Sequence, residues 1–162
     1  MDARDKPGHD GVALSAPFHL RRYRAEDEEA AIALWQLTWQ QAYPEIDFAA
    51  RVAWWRERWR NELVPDAAII IAEQADVMVG FVTIDSTGYL DQLVVDPDLW
   101  GSKLADMLVN EAKQLSSNRI ALLVNTDNSR AIRFYERNGF KKAGQDVNPT
   151  SGRPVLRMEW KG

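Results

Sequence analysis

The stretch YLDQLVVDPDLWGSKLADMLVNEAK (89–113) passes from an apolar strand pattern through a Pro-containing turn and a Gly-bearing loop into an amphipathic helix. The first turn of a helix leaves about four backbone N–H groups unpaired and carries partial positive charge, so this arrangement can cradle an anion. A second stretch, NTDNSRAIRFYERNGF (125–140), sets Asn128, Ala131 and Tyr135 at spacings of three and four. On a helix these share a face, which lines up one amide, one small residue and one phenol along a groove. Two such units side by side, with their helix starts at the same end of a sheet, form a slot for a long phosphorylated ligand.

Other chemistries have little material. The 162 residues include no cysteine, which removes disulfides, thiol nucleophiles, Cys-ligated zinc and iron–sulfur clusters. His9 and His19 are the only imidazoles, too few for a multi-His metal site or a His-based triad, so no metal is expected. With 24 acidic against 20 basic residues, the net charge is -4 and the pI about 5.2, which argues against a nucleic-acid partner. No apolar run approaches the roughly 20 residues of a membrane span. The start, MDARDKPGHDG, lacks the basic-then-apolar order of a secretory signal, so a soluble cytoplasmic protein with no membrane contact is expected.

The elements that must position these residues follow from period and punctuation. Residues 1–16 carry Gly and Pro without periodicity and read as a flexible leader, leaving 17–162 as one domain. FHLRRY (18–23) alternates as a half-buried strand, and acidic residues at 26–29 open a helix running to about Gln41. Asp47 can cap a second helix with the stripe Val52, Trp55, Trp59 and Leu63, stopped by Pro65. AAIIIAE, VMVGFVTI and YLDQLVV predict a three-strand antiparallel meander, and from about Trp100 the period becomes helical. RIALLVN (119–125) reads as a buried strand before a helix over about 128–138. Gly139 fits the left-handed position after that helix, and FKKAGQDV and VLRMEW close the chain as strands. The expectation is an α+β fold: a mixed, mostly antiparallel central sheet of about six to seven strands flanked by about four helices.

Residues 18–160 resemble the GNAT N-acetyltransferase superfamily, whose members transfer the acetyl group of acetyl-CoA to an amine. The resemblance rests on LVVDPDLWGSKLA together with N-x-x-N-x-x-A-x-x-F-Y-x-x-x-G-F, matched at Asn125, Asn128, Ala131, Phe134, Tyr135, Gly139 and Phe140. It implies acetyl-CoA as co-substrate, and a small-molecule or peptide amine as acceptor. By the same resemblance, Leu93, Val94 and Val95 match the strand whose backbone pairs with pantetheine and holds the thioester oxygen. Trp100, Gly101, Ser102, Lys103, Leu104 and Ala105 match the pyrophosphate turn, Asn128 the polar contact at the next helix start, and Tyr135 the phenol that protonates the departing thiolate. Asp91 is the candidate to take the proton of the acceptor ammonium, directly or through water. A hairpin-edge aspartate, with Gln92 orienting a water, is the competing reading.

Two positions depart from the family pattern. Its loop has Arg or Gln where Trp100 stands and Gly where Lys103 stands. Lys103 reads either as a cation aimed at the phosphates or as a surface lysine; a spoiled cradle would leave a non-catalytic CoA-binding module. Trp35, Trp55 and Trp59 fit the apolar stripes and read as core, while Trp39, Tyr43 and Trp54 lie off them. These three are candidates for a wall against the acceptor or for a homodimer interface. RVAWWRERWR, which looks like a basic aromatic patch, reads as a solvated helix face.

Overall fold

The computed structural model describes residues 16–162, so the proposed leader lies outside it except for Ala16. Strands β1 (Phe18–Arg22), β2 (Ala67–Gln74), β3 (Val77–Asp85) and β4 (Leu90–Val95) form one antiparallel sheet in chain order. Strands β5 (Arg119–Asn125), β6 (Lys141–Val147) and β7 (Pro154–Lys161) form a second, with β7 in the middle. The helices are α1 (Glu28–Ala42), α2 (Val52–Arg58), α3 (Leu104–Leu115) and α4 (Ser129–Arg137). None of the described helices is long and apolar enough to cross a membrane.

The central sheet is therefore split. A single parallel bridge, Tyr89 to Ala121, joins its halves, supported by the Ala121 N–H donating to Gly88 O at 2.9 Å. Gly88 permits this contact: its φ is +87°, and a Cβ there would stand 2.5 Å from Arg119 O. Beyond the bridge β4 and β5 no longer pair, and the loops that follow them lead into α3 and α4, which approach each other where Arg130 lies over the Trp100 ring.

Two cores hold the frame. On one side α3 buries Leu104, Leu108, Val109 and Ala112 completely against strand residues such as Val82, Ile120 and Met158. On the other, Trp35, Trp55 and Trp59 pack on Ile71, Phe81 and Val94, with the Trp35 and Trp55 rings stacked 4.7 Å apart. The second helix departs from expectation. Asp47 accepts from Ala50 N at 3.2 Å and so caps a short 3-10 turn rather than α2 itself. After α2 the backbone widens into a π turn, Trp59–Leu63, and runs on to Asp66, so Pro65 lies within the last turn instead of ending it. Trp59 and Leu63 are both buried across this turn.

Candidate active site

Strand β4 forms one lip of the opening. Its register with β3 pairs Thr83 with Gln92 but Ile84 with Leu90, so Asp91 is the extra residue of a β-bulge. The displaced Gln92 N–H donates to the buried Thr83 hydroxyl at 3.0 Å. Asp96 N–H donates to Val79 O at 2.8 Å. By the two-residue alternation of a strand, Gln92, Val94 and Asp96 turn their backbone to β3, and Leu93 and Val95 turn theirs to the opening. Of the expected trio, Val94 thus faces away, with its side chain buried in the tryptophan core. Trp100 Nε1 donates to Val95 O at 2.9 Å, so among the described residues the Leu93 N–H, Leu93 O and Val95 N–H are the lip groups without a partner.

The loop before α3 is built as a cradle. The helix begins at Leu104, not near Trp100, because Gly101 at φ +87° breaks the helical path. Ser102 N–H bonds Leu99 O, and Leu104 N–H bonds the Ser102 hydroxyl at 3.3 Å. Among the described residues the amides of Gly101, Lys103, Ala105 and Asp106 have no acceptor. Nothing stands within 4 Å of where a Gly101 Cβ would be, and Lys103 takes an ordinary φ of -76°. The altered loop therefore keeps an open set of unpaired donors at a helix start, which fits a diphosphate.

Helix α4 supplies the other side. Asn128 is its N-cap, its Oδ1 accepting from Ala131 N at 3.2 Å. Tyr135 is buried between Phe134 and Phe140, with ring centroids 5.2 and 5.4 Å away. Among the described residues its hydroxyl has no hydrogen-bond partner, although it is not among the fully enclosed unpaired polar atoms. Burial pushes the phenol's pKa up, so it stays protonated at neutral pH.

Opposite lie the residues set aside for an acceptor. Trp39 and Tyr43 stack with centroids 5.9 Å apart, and Trp39 Nε1 reaches Gln92 Oε1 at 3.4 Å. The Tyr43 hydroxyl donates to Asp127 at 3.1 Å and accepts from Asn125 Nδ2 at 2.9 Å. Trp54 stands apart, 45% exposed and tilted against Trp55. Asp91 is gripped by Arg58: Nη1 donates to Oδ1 at 2.9 Å, Nη2 to Oδ2, and Gln92 Nε2 adds a bond to Oδ1 at 3.0 Å. The hydrogen bond with Asp91 is the largest cause of the raised Arg58 pKa.

Several of these partners were not legible. Arg58 belongs to RVAWWRERWR, and that segment is not a simple solvated face: Arg58 turns in to Asp91, while Arg56 and Arg60 pair with Glu28 on α1. Asn125 carries a motif match but had no assigned role, and Asp127 and Arg153, whose guanidinium lies 4.8 Å from the Tyr43 ring, had no sequence signal.

The site defines a class: two strands that part beyond one bridge, backbone donors without partners before a helix and a buried phenol, as in enzymes that grip a long thioester carrier. The profile of the acetyltransferase (GNAT) family matches residues 28–140, and the chain belongs to that family. It is 30% identical to the peptidyl-lysine N-acetyltransferase YjaB of Salmonella typhimurium strain LT2 over 138 residues, 85% of this chain and 92% of that protein. The solution structure of apo YjaB from Escherichia coli is 26% identical, with a TM-score of 0.73, covering 90% of this chain and 99% of the other. The fold is also shared with PaiA N-acetyltransferase from Thermoplasma acidophilum, solved with coenzyme A, at 23% identity and a TM-score of 0.77, covering 90% and 99%. The chain is thus an N-acetyltransferase drawing on acetyl-CoA.

Proposed function

We propose that the chain acetylates a lysine side chain presented by a peptide, by direct attack of the amine within a ternary complex at the divergence of β4 and β5. The observation that carries this is that Leu93, Val95 and Tyr135 share one core, the Leu93 and Val95 amides turning away from β3 and the Tyr135 hydroxyl having no partner among the described residues. Acetyl-CoA supplies the acetyl group as a thioester whose cleavage releases a thiol. The N–H of Leu93 or Val95 stabilises the thioester oxygen as charge develops, a contribution of about 3 to 4 kcal/mol for a preorganised donor. The amides of Gly101, Lys103 and Ala105 hold the pyrophosphate, and Ala131 leaves room for the pantetheine arm. Tyr135 directs its hydroxyl to the leaving sulfur. Its raised pKa does not disqualify it, because the same burial desolvates a neighbouring thiolate and raises both together.

On the acceptor side Asp91 takes the ammonium proton through water. A carboxylate offers about four lone-pair sites; Arg58 fills two and Gln92 a third, leaving one on Oδ2. Trp39 and Tyr43 wall the path by which the lysine stem enters, and the relatives named as peptidyl-lysine acetyltransferases support that acceptor class. The test mixes the protein with acetyl-CoA and lysine-bearing peptides, reading free thiol and the acetylated residue by mass spectrometry. Lysine-dependent thiol release is expected. Acetyl-CoA binding with no lysine-dependent release of its thiol overturns the lysine acceptor.

A further inference from the structure

Arg130, near the start of α4, holds its guanidinium carbon 4.1 Å from the centroid of the Trp100 ring. Among the described residues no carboxylate lies within ion-pair distance of it, whereas Arg21, Arg56, Arg58 and Arg60 each reach one. The Trp100 ring is itself fixed, since its indole N–H is bonded to Val95 O at 2.9 Å. It precedes Gly101 and so borders the unpaired amides of the α3 cradle. The result is a cation held by a neutral platform, with no counter-ion, beside donors that also lack one. Stacking on an indole orients a guanidinium without neutralising it, and its planar fork suits two phosphate oxygens at once.

We propose that Arg130, seated on Trp100, is the cation that clamps the pyrophosphate of acetyl-CoA, taking over the role for which the family pattern offers Arg or Gln at position 100. The inference rests on the acetyl-CoA reading of the site. It makes Trp100 a positioning residue rather than a defect of the loop. Lys103, on a flexible stem with no platform, is secondary.

The experiment measures CoA and dephospho-CoA binding by calorimetry for the parent protein, Arg130→Gln, Arg130→Lys and Lys103→Gln, together with kcat/KM for S-acetylpantetheine, which has no phosphate. Loss of a charge-assisted contact should weaken both CoA and dephospho-CoA by about 10- to 100-fold in Arg130→Gln. Arg130→Lys should recover part of that, Lys103→Gln should lose less, and the penalty should shrink with salt. The kcat/KM for S-acetylpantetheine should fall far less than CoA affinity. An equal fall for S-acetylpantetheine would assign Arg130 a structural role and overturn the proposal. So would a penalty absent with dephospho-CoA, which would move the contact to the 3′-phosphate, or CoA affinity unchanged in Arg130→Gln. Failure of the parent protein to bind CoA at all would instead sink the underlying reading.

Discussion

Replacing Tyr135 with Phe separates chemistry from stability. In the resting protein the Tyr135 hydroxyl has no partner among the described residues, so its removal breaks no hydrogen bond, and the ring stays packed between Phe134 and Phe140. Stability should change by no more than about 0.5 kcal/mol, or roughly 2 °C in Tm for a chain of this size. Turnover should behave differently. A hydrogen bond to a charged group contributes about 1.5 to 3 kcal/mol, which corresponds to a fall in kcat of roughly 10- to 150-fold. The KM for acetyl-CoA should move by less than about threefold, because the contact strengthens only as the sulfur gains charge. Burial raises the phenol's pKa, so the protonated form persists above its ordinary value and turnover should show no descending limb up to about pH 10. Thiol release and a thermal melt on the same preparation decide the matter. A kcat equal to the parent's, or a melt lowered by many degrees with kcat intact, would refute the role.

Gly88→Ala should cost about 2 to 4 kcal/mol, since it combines a positive-φ penalty with a Cβ 2.5 Å from Arg119 O. Gly101→Ala shares the φ of +87° but meets nothing within 4 Å, so it should cost only about 1 to 2 kcal/mol; equal losses in thermal denaturation would dismiss the sheet-joining role of Gly88. Asp91→Asn should lower kcat by about 100-fold or more, and a rate within twofold of the parent would remove Asp91 from proton transfer. Asp27 accepts two 2.8 Å bonds from Arg21 and one of 2.7 Å from Arg24 N, and its pKa is lowered chiefly by Arg21. Its contribution is therefore present above the unfolded pKa of about 3.9 and lost as pH falls through the folded value. Asp27→Asn should cost about 1 to 3 kcal/mol at pH 7. The gap between parent and variant melts should start to narrow below about pH 4 and close only below the lowered folded value; a gap that stays constant throughout contradicts the linkage.

What could be read from the chain was local. The stripe that buries Trp35, Trp55 and Trp59, the left-handed Gly139 at φ +90°, and the cap at Asn128 each depend on neighbours a few residues away. What could not be read depends on distant segments meeting. The division into two sheets turns on Gly88 approaching Arg119, some thirty residues along, and only Gly-specific space at that contact reveals it. Arg58 carries helical spacing that places it among solvent-facing charges, yet Asp91 on β4 draws it inward. Trp100 looks like a loss when compared with the family pattern. Arg130, which restores a cation at that point, comes from the start of a different helix.

The polar pair Asp91-Gln92 inside YLDQLVV carried a sign that alternation alone does not interpret. In a regular strand, consecutive side chains point to opposite faces, so one of the two would enter the core against α3. The bulge removes that conflict. Leu90, Leu93 and Val95 all pack with the α3 core although Leu90 has the opposite parity, and Asp91 and Gln92 both reach the helices across the sheet, at Arg58 and Trp39. The same inserted residue sets which amides of β4 turn outward, since Gln92 N–H is diverted to Thr83 and the alternation from Leu93 onward follows from it. One extra residue thus brings the Asp91 carboxylate and the outward-turned amides of β4 to adjoining positions, a coupling that neither the apolar pattern nor the motif match expresses.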